Sequence, residues 1–233
     1  MAAALGQSLH FPCPEKLTYD VEWRLISAGT ATVLLARDAP RNGWNFNLNI
    51  VSAGLVSRLY RVADSYTINT SDRFCLDHAT LDAQEGKKHL LSKLTVDQAR
   101  NKLAFEQHDL IKNGVEQKIL DVAPCTYDIV GALASIRMLN LEPGRSVALP
   151  ITDGKKFVHA KVTALSKEKI TVSGQSYDTT RYEAFLFDNV LYRRHGRLQI
   201  WVSNDADHVP VQLRMMFGFP IGTVTVSLKK QEH

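Results

Sequence analysis

The chain lacks any run approaching the ~18–20 apolar residues needed to cross a bilayer as a helix. It also lacks the compact signatures of common catalysts: no Gly-x-Ser-x-Gly, no phosphate-binding P-loop, no Gly-x-Gly-x-x-Gly and no His-Glu-x-x-His occurs. Its eight histidines never fall two or four residues apart, so no helix or strand face presents a histidine pair to a metal. Cysteine is scarce. Cys13, Cys75 and Cys125 are widely spaced and form no Cys-x-x-Cys pair. One disulfide with a free thiol is compatible with an oxidising compartment, and three separate buried thiols are equally compatible with the spacing. A net charge of +4 spread along the chain is not a nucleic-acid footprint. No metal, cofactor or nucleic-acid partner is expected from these absences, and no catalytic residue is assigned. No repeat, low-complexity tract or linker divides the chain.

What is present is a packed globular composition, 45% hydrophobic and 22% charged over 233 residues. Period-two alternation dominates it. In Glu15–Leu25, Leu17, Tyr19, Val21, Trp23 and Leu25 face one way, and the chain is expected to turn at Ser27-Ala28-Gly29. Asn42-Gly43, Asn113-Gly114 and Asp153-Gly154 mark further hairpins. Phe157–Leu165, Lys169–Gly174 and Tyr177–Phe187 read as successive strands of a meander, and 197–202, 209–217 and 223–228 close the chain. The expected total is about ten to twelve antiparallel strands.

One segment stands apart. Thr126 is placed as an N-cap, with Asp128 in the first turn and Arg137 in the last, where the helix dipole suits each charge. Ile129, Leu133 and Ile136 recur at helical spacing, flanked by Val130 and Ala132. Pro143-Gly144 stops the helix. A main helix near 127–139 is therefore expected, packed on a sheet because it cannot persist alone in water. Asp128 and Arg137, nine residues apart, lie on different faces and are expected to serve neighbouring sheet or loop groups rather than each other.

Two polar features carry alternative readings. Lys87-Lys88, Lys155-Lys156, Arg193-Arg194 and Lys229-Lys230 read as solvated strand ends or as a weak preference for anionic lipid headgroups. Asn204-Asp205-Ala206-Asp207-His208 reads as a turn rather than a cation site. The first ten residues read as a disordered tail or as the remnant of a signal peptide, ahead of one domain over 11–233.

Several blocks together resemble the DUF3108 family. Glu15, Leu17, Tyr19, Val21, Trp23, Ala28 and Gly29 match its opening motif. Asp128, Arg137 and Gly144 match its central helix block, and Asp153-Gly154 the hairpin that follows. Gly196, Trp201, Ser203, Pro210, Gly222 and Val224 match its C-terminal end. Pro12-Cys13-Pro14 departs from the glycine expected ahead of Glu15. The resemblance implies a bacterial, exported protein of the periplasm or envelope with no established activity. It also implies a half-open β-barrel akin to lipoprotein carriers of the LolA/LolB type, in which a helical lid covers apolar cargo.

If the sheet is such a half-barrel, its apolar face lines a cavity. The candidate lining residues are then Tyr19, Trp23, Leu133 and Ile136. The reading is a non-enzymatic envelope protein holding a lipid or other apolar small molecule. The alternative is a structural or interaction protein with a solid sheet and an envelope protein partner. A third is an enzyme whose acid and base groups meet only in the fold.

Overall fold

A computed structural model describes residues 13–233, so the expectation for the first ten residues lies outside the described part of the chain. Fourteen strands form one antiparallel sheet. They are β1 (Glu15–Trp23), β2 (Ile26–Asp38), β3 (Gly43–Ser52), β4 (Val62–Thr70), β5 (Leu76–Glu85), β6 (Lys88–Asp97), β7 (Lys102–Asp109) and β8 (Gly114–Asp121). After the helical segment come β9 (Ser146–Thr152), β10 (Phe157–Val172), β11 (Gln175–Ala184), β12 (Gly196–Ser203), β13 (Pro210–Phe217) and β14 (Thr223–Glu232). A short helix, α1 (Gly54–Leu59), links β3 to β4, and α2 (Ile129–Arg137) links β8 to β9. No described helix is long and apolar enough to cross a membrane.

Consecutive strands pair except β8 and β9, and β1 pairs with β14, so the first and last described strands meet in the middle of the sheet. The two edges are β8 and β9. The curved sheet is a barrel left open between them, and the segment carrying α2 spans that seam. Fourteen strands exceed the ten to twelve expected.

Two departures from the sequence reading have clear causes. The first hairpin turns at Arg24-Leu25, with φ of 50° and 66°, not at Ser27-Ala28-Gly29. Gly29 instead lies within β2, where a Cβ would sit 2.1 Å from the Val51 carbonyl oxygen. That glycine serves a close approach between strands. Second, Phe157–Leu165 and Lys169–Gly174 are one strand, β10, bent by an irregularity between Ala164 and Ser166. A bulge changes which face a residue occupies and so mimics a turn in the alternation.

The core shows why the helix forms. Ala132 and Ile136 pack with Ile151, Val162, Tyr182 and Ile200 of the β9–β13 half. Ala134 packs with Phe46, Ile68, Phe74 and Phe105 of the β2–β7 half. α2 is thus enclosed between two facing stretches of one sheet. Even its polar members Ser135 and Arg137 are buried. The helix is interior, packed between the two halves of the sheet. Its cap is Asp128, whose carboxylate accepts from the amides of Val130 (3.0 Å) and Gly131 (2.9 Å). Thr126, expected to cap, instead donates to the Ala123 carbonyl at 2.7 Å. Gly131 is required by crowding, since a Cβ there would meet the Phe74 carbonyl oxygen at 2.8 Å.

Candidate functional site

A cavity of about 280 Å³ lies beneath the N-terminal end of α2. Its floor is the inner face of β3–β7, where Leu48, Ile50, Tyr66, Leu81 and Leu94 repeat at period two. Leu48, Ile50, Tyr66 and Leu81 point inward yet are only half-buried, because the cavity rather than packed atoms faces them. Ile129 and Val130 form the helix wall. Tyr192, from the β11–β12 loop, and Lys155, from the β9–β10 turn, are the more exposed lining side chains and mark the mouth.

One side of the cavity is polar and fully engaged. Gln107 donates to the Ser92 hydroxyl at 2.8 Å and accepts from Lys155 Nζ at 2.9 Å, and Lys155 also meets Glu116 at 2.7 Å. This chain of bonds crosses the open seam, tying the β9–β10 turn to the edge strand β8. The turn owes its shape to Asp153, whose carboxylate accepts from the amides of Lys155 and Lys156, and to Gly154 at φ 88° pressed against Phe105. Burial raises the Asp128 carboxyl above the usual range, with its two helix amides pulling the other way. Asp64, inward-facing beside Ile50 and Ala83, is pushed by burial up to about 6. Asp128 caps a helix, Asp153 shapes a turn and Lys155 is ion-paired, so the titratable groups at the cavity serve the fold and do not converge on a common point. Among the described residues no cluster of three or more His, Cys, Asp or Glu side chains could hold a metal. A wider depression of about 590 Å³ on the outer face of β6–β8 is open and lined by both charged and apolar side chains, among them Lys93, Glu106, Lys118 and Ile119.

The four sequence candidates lie elsewhere. Ile136 is buried and Leu133 half-buried in the β9–β13 core. Tyr19 is buried with Leu17, Trp201, Val211 and Leu228, where the two halves of the sheet meet. Burial raises the Tyr19 hydroxyl far above its ordinary value. Trp23 is half-buried at the far end of β1, and its indole donates to the Ile221 carbonyl at 2.7 Å. Period two places Tyr19 on the inner face correctly but cannot say which part of that face is filled and which is hollow. The actual floor was visible as the runs 46–50, 66–68 and 79–83; no signal singled it out from the other strands.

The remaining motif residues are structural. Arg137 forms a buried two-pronged pair with Glu15, at 2.6 and 3.0 Å, and donates to the carbonyls of Asp207 (2.8 Å) and His208 (3.0 Å). Gln231 adds a bond to Glu15 at 3.1 Å. This joins the first strand, the helix end, the β12–β13 turn and the last strand. Sequence spacing gives no hint of a pair 122 residues apart. The 204–208 segment is a turn in which Asp205 accepts from the amides of Asp207 and His208. Gly144, at φ 85°, donates to the Ala164 carbonyl at 2.8 Å. Trp201 donates to Glu168 at 2.6 Å, and Pro210 opens β13 opposite Val202. Cys75 and Cys125 form a disulfide, and Cys13 is exposed and unpaired; the alternative of three buried thiols is excluded.

The family model described as a protein of unknown function, DUF3108, matches residues 18–229. Among solved structures, a β-barrel-like protein of the unknown-function domain DUF1849 from Brucella abortus shares the fold, with a TM-score of 0.62 at 9% identity. The likeness covers 96% of this chain and 98% of that one. No curated protein matches.

Proposed function

The chain belongs to the DUF3108 family, and for this member we propose a non-enzymatic role in the bacterial cell envelope, holding an apolar or amphipathic, lipid-like ligand. The observation that carries the reading is the cavity under α2, with its aliphatic floor and one polar, lysine-bearing side. Each methylene moved from water into such a site contributes ~0.8 kcal/mol. At about 280 Å³ the space is near the lower end of the usual range for ligand sites. It therefore suits a short acyl chain or the end of a longer one, not a whole diacyl lipid. The Cys75–Cys125 bridge supports an oxidising compartment such as the periplasm.

Protein purified without detergent, measured by native mass spectrometry and extracted with organic solvent, should release an acyl-bearing molecule. Ala79→Leu, which projects into the floor of the cavity, should prevent its retention. A folded wild-type protein that carries nothing and binds no added medium-chain fatty acid would argue against the reading. An interaction role is favoured by one observation: β8 is an unpaired edge strand with Ile119 75% and Val115 59% exposed. A partner strand added there would leave the cavity unused.

A further inference from the structure

Because consecutive strands are antiparallel neighbours, successive connections alternate between the two margins of the sheet. The β1–β2, β3–β4, β5–β6, β7–β8, β9–β10, β11–β12 and β13–β14 connections share one margin. The most exposed large apolar turn residues are there. Phe219 is 94% exposed and Leu25 92%, and Leu55, Leu59 and Ile111 are each more than half exposed. Turns 39–42, 71–75, 98–101, 173–174 and 204–208, on the other margin, carry no exposed large apolar side chain among the described residues. Leu25 is notable for its backbone. Its φ of 66° is a conformation in which Gly, Asn or Asp is expected. A leucine held there and given to water gains nothing within the fold.

The same margin is basic. Arg58, Lys87, Lys88, Lys112, Arg193 and Arg194 are exposed and make no ion pair among the described residues. Of the carboxylates facing them, Asp109 is engaged by the amides of Ile111 and Lys112, Asp188 by His195, and Glu85 by the Tyr60 hydroxyl. Glu22 adds one outward charge. Three of the four basic doublets in the sequence, Lys87-Lys88, Lys155-Lys156 and Arg193-Arg194, thus lie on the margin with the exposed apolar tips, with Lys155 alone of them paired, to Glu116. Tyr192, at the cavity mouth, belongs to the same set of loops.

We propose that this margin docks on an anionic phospholipid bilayer. Leu25, Leu55, Leu59, Ile111 and Phe219 enter the interfacial layer, and the surrounding lysines and arginines meet lipid phosphates. Apolar tips interspersed with basic side chains are complementary to such a surface and to no single protein shape, since they sit on separate turns rather than in one groove. The docking goes beyond the carrier reading and does not require the cavity to be filled.

The test is co-sedimentation of the full chain with vesicles of equal parts phosphatidylcholine and phosphatidylglycerol, compared with pure phosphatidylcholine. Binding is expected to the anionic vesicles and to fall at high salt as charges are screened. Leu25→Ser with Phe219→Ser, and separately Arg193→Ser with Arg194→Ser, should each weaken it by about tenfold or more. Ile119→Ser, on the edge strand, should leave it unchanged. Trp23 reports insertion independently: it is half-buried beside the Phe219 turn, whereas Trp44 and Trp201 are buried elsewhere. Brominated lipids should quench it. Equal binding to neutral vesicles, no binding to either, or binding indifferent to both double variants while thermal unfolding shows them folded, would overturn the proposal.

Discussion

The two margins of this sheet are made from the same alternating strands and are finished in opposite ways. At one, Glu15 and Arg137 pair in the interior, the β12–β13 turn supplies backbone carbonyls to Arg137, and Cys75 is bonded to Cys125. Along β1, Leu17 and Tyr19 are buried at that end. Towards the other end Val21 and Trp23 are half-buried, and Leu25, in the turn beyond, is almost wholly exposed. There the interior opens into a cavity and the turns carry apolar tips and basic charge. The difference teaches that one margin is built for stability and the other is left unfilled for a ligand and a surface. Substitutions of similar chemical severity should therefore have unequal effects at the two ends.

The largest effect is expected from Arg137→Ala. It strands the Glu15 carboxylate in the interior and removes donors from two half-buried carbonyls, so urea denaturation should show a loss of about 3–5 kcal/mol. A loss within the ~0.5 kcal/mol typical of surface positions would show that this end is not held by the pair. Next, Cys75→Ser with Cys125→Ser opens a loop of 50 residues. The cost should be roughly 2–4 kcal/mol, read by the same method under non-reducing conditions.

A smaller and pH-dependent effect is expected at Asp64, on the cavity side. Burial lifts its carboxyl to about 6, above the ~3.9 of an unfolded chain. Between those values the native state holds more protons than the unfolded state, so its contribution to stability falls as pH rises and stays low above pH 6. Asp64→Asn keeps the oxygen that accepts from the Gln84 amide and removes the buried charge. It should flatten that slope and stabilise the protein at pH 8 by roughly 1–3 kcal/mol. An unchanged slope would place the carboxylate in contact with water. The smallest effect belongs to the exposed tips: Leu25→Ser and Phe219→Ser should each shift stability by less than about 0.5 kcal/mol. A larger loss would mean that these side chains pack against something in the folded chain.

Much of the fold could be read from local pattern. Alternation located the strands, Asp153-Gly154 the hairpin, and the recurrence at 129, 133 and 136 the helix. Local signals failed where the third dimension decides. Gly29 looked like a turn and is a close contact between strands, while the real turn, Arg24-Leu25, uses residues that turn statistics disfavour. β10 looked like two strands because a bulge interrupts its period. The stripe at 129, 133 and 136 marks one face of the helix, yet Ser135 and Arg137 are buried as well: Ser135 donates to the Ala132 carbonyl and Arg137 to Glu15. Sheet face and helix position point to Tyr19, Trp23, Leu133 and Ile136. Which stretch of that face is hollow depends on how a 14-stranded sheet bends around α2, and that is not written in any short window.

The most direct measurement is a titration of the delipidated protein with a medium-chain fatty acid, followed by calorimetry or by displacement of a fluorescent acyl probe. The cavity predicts one bound molecule for each chain in the wild type and loss of that binding in Ala79→Leu, with both proteins folded. Absence of binding, or binding that survives Ala79→Leu unchanged, would contradict the assignment of the cavity as a ligand site.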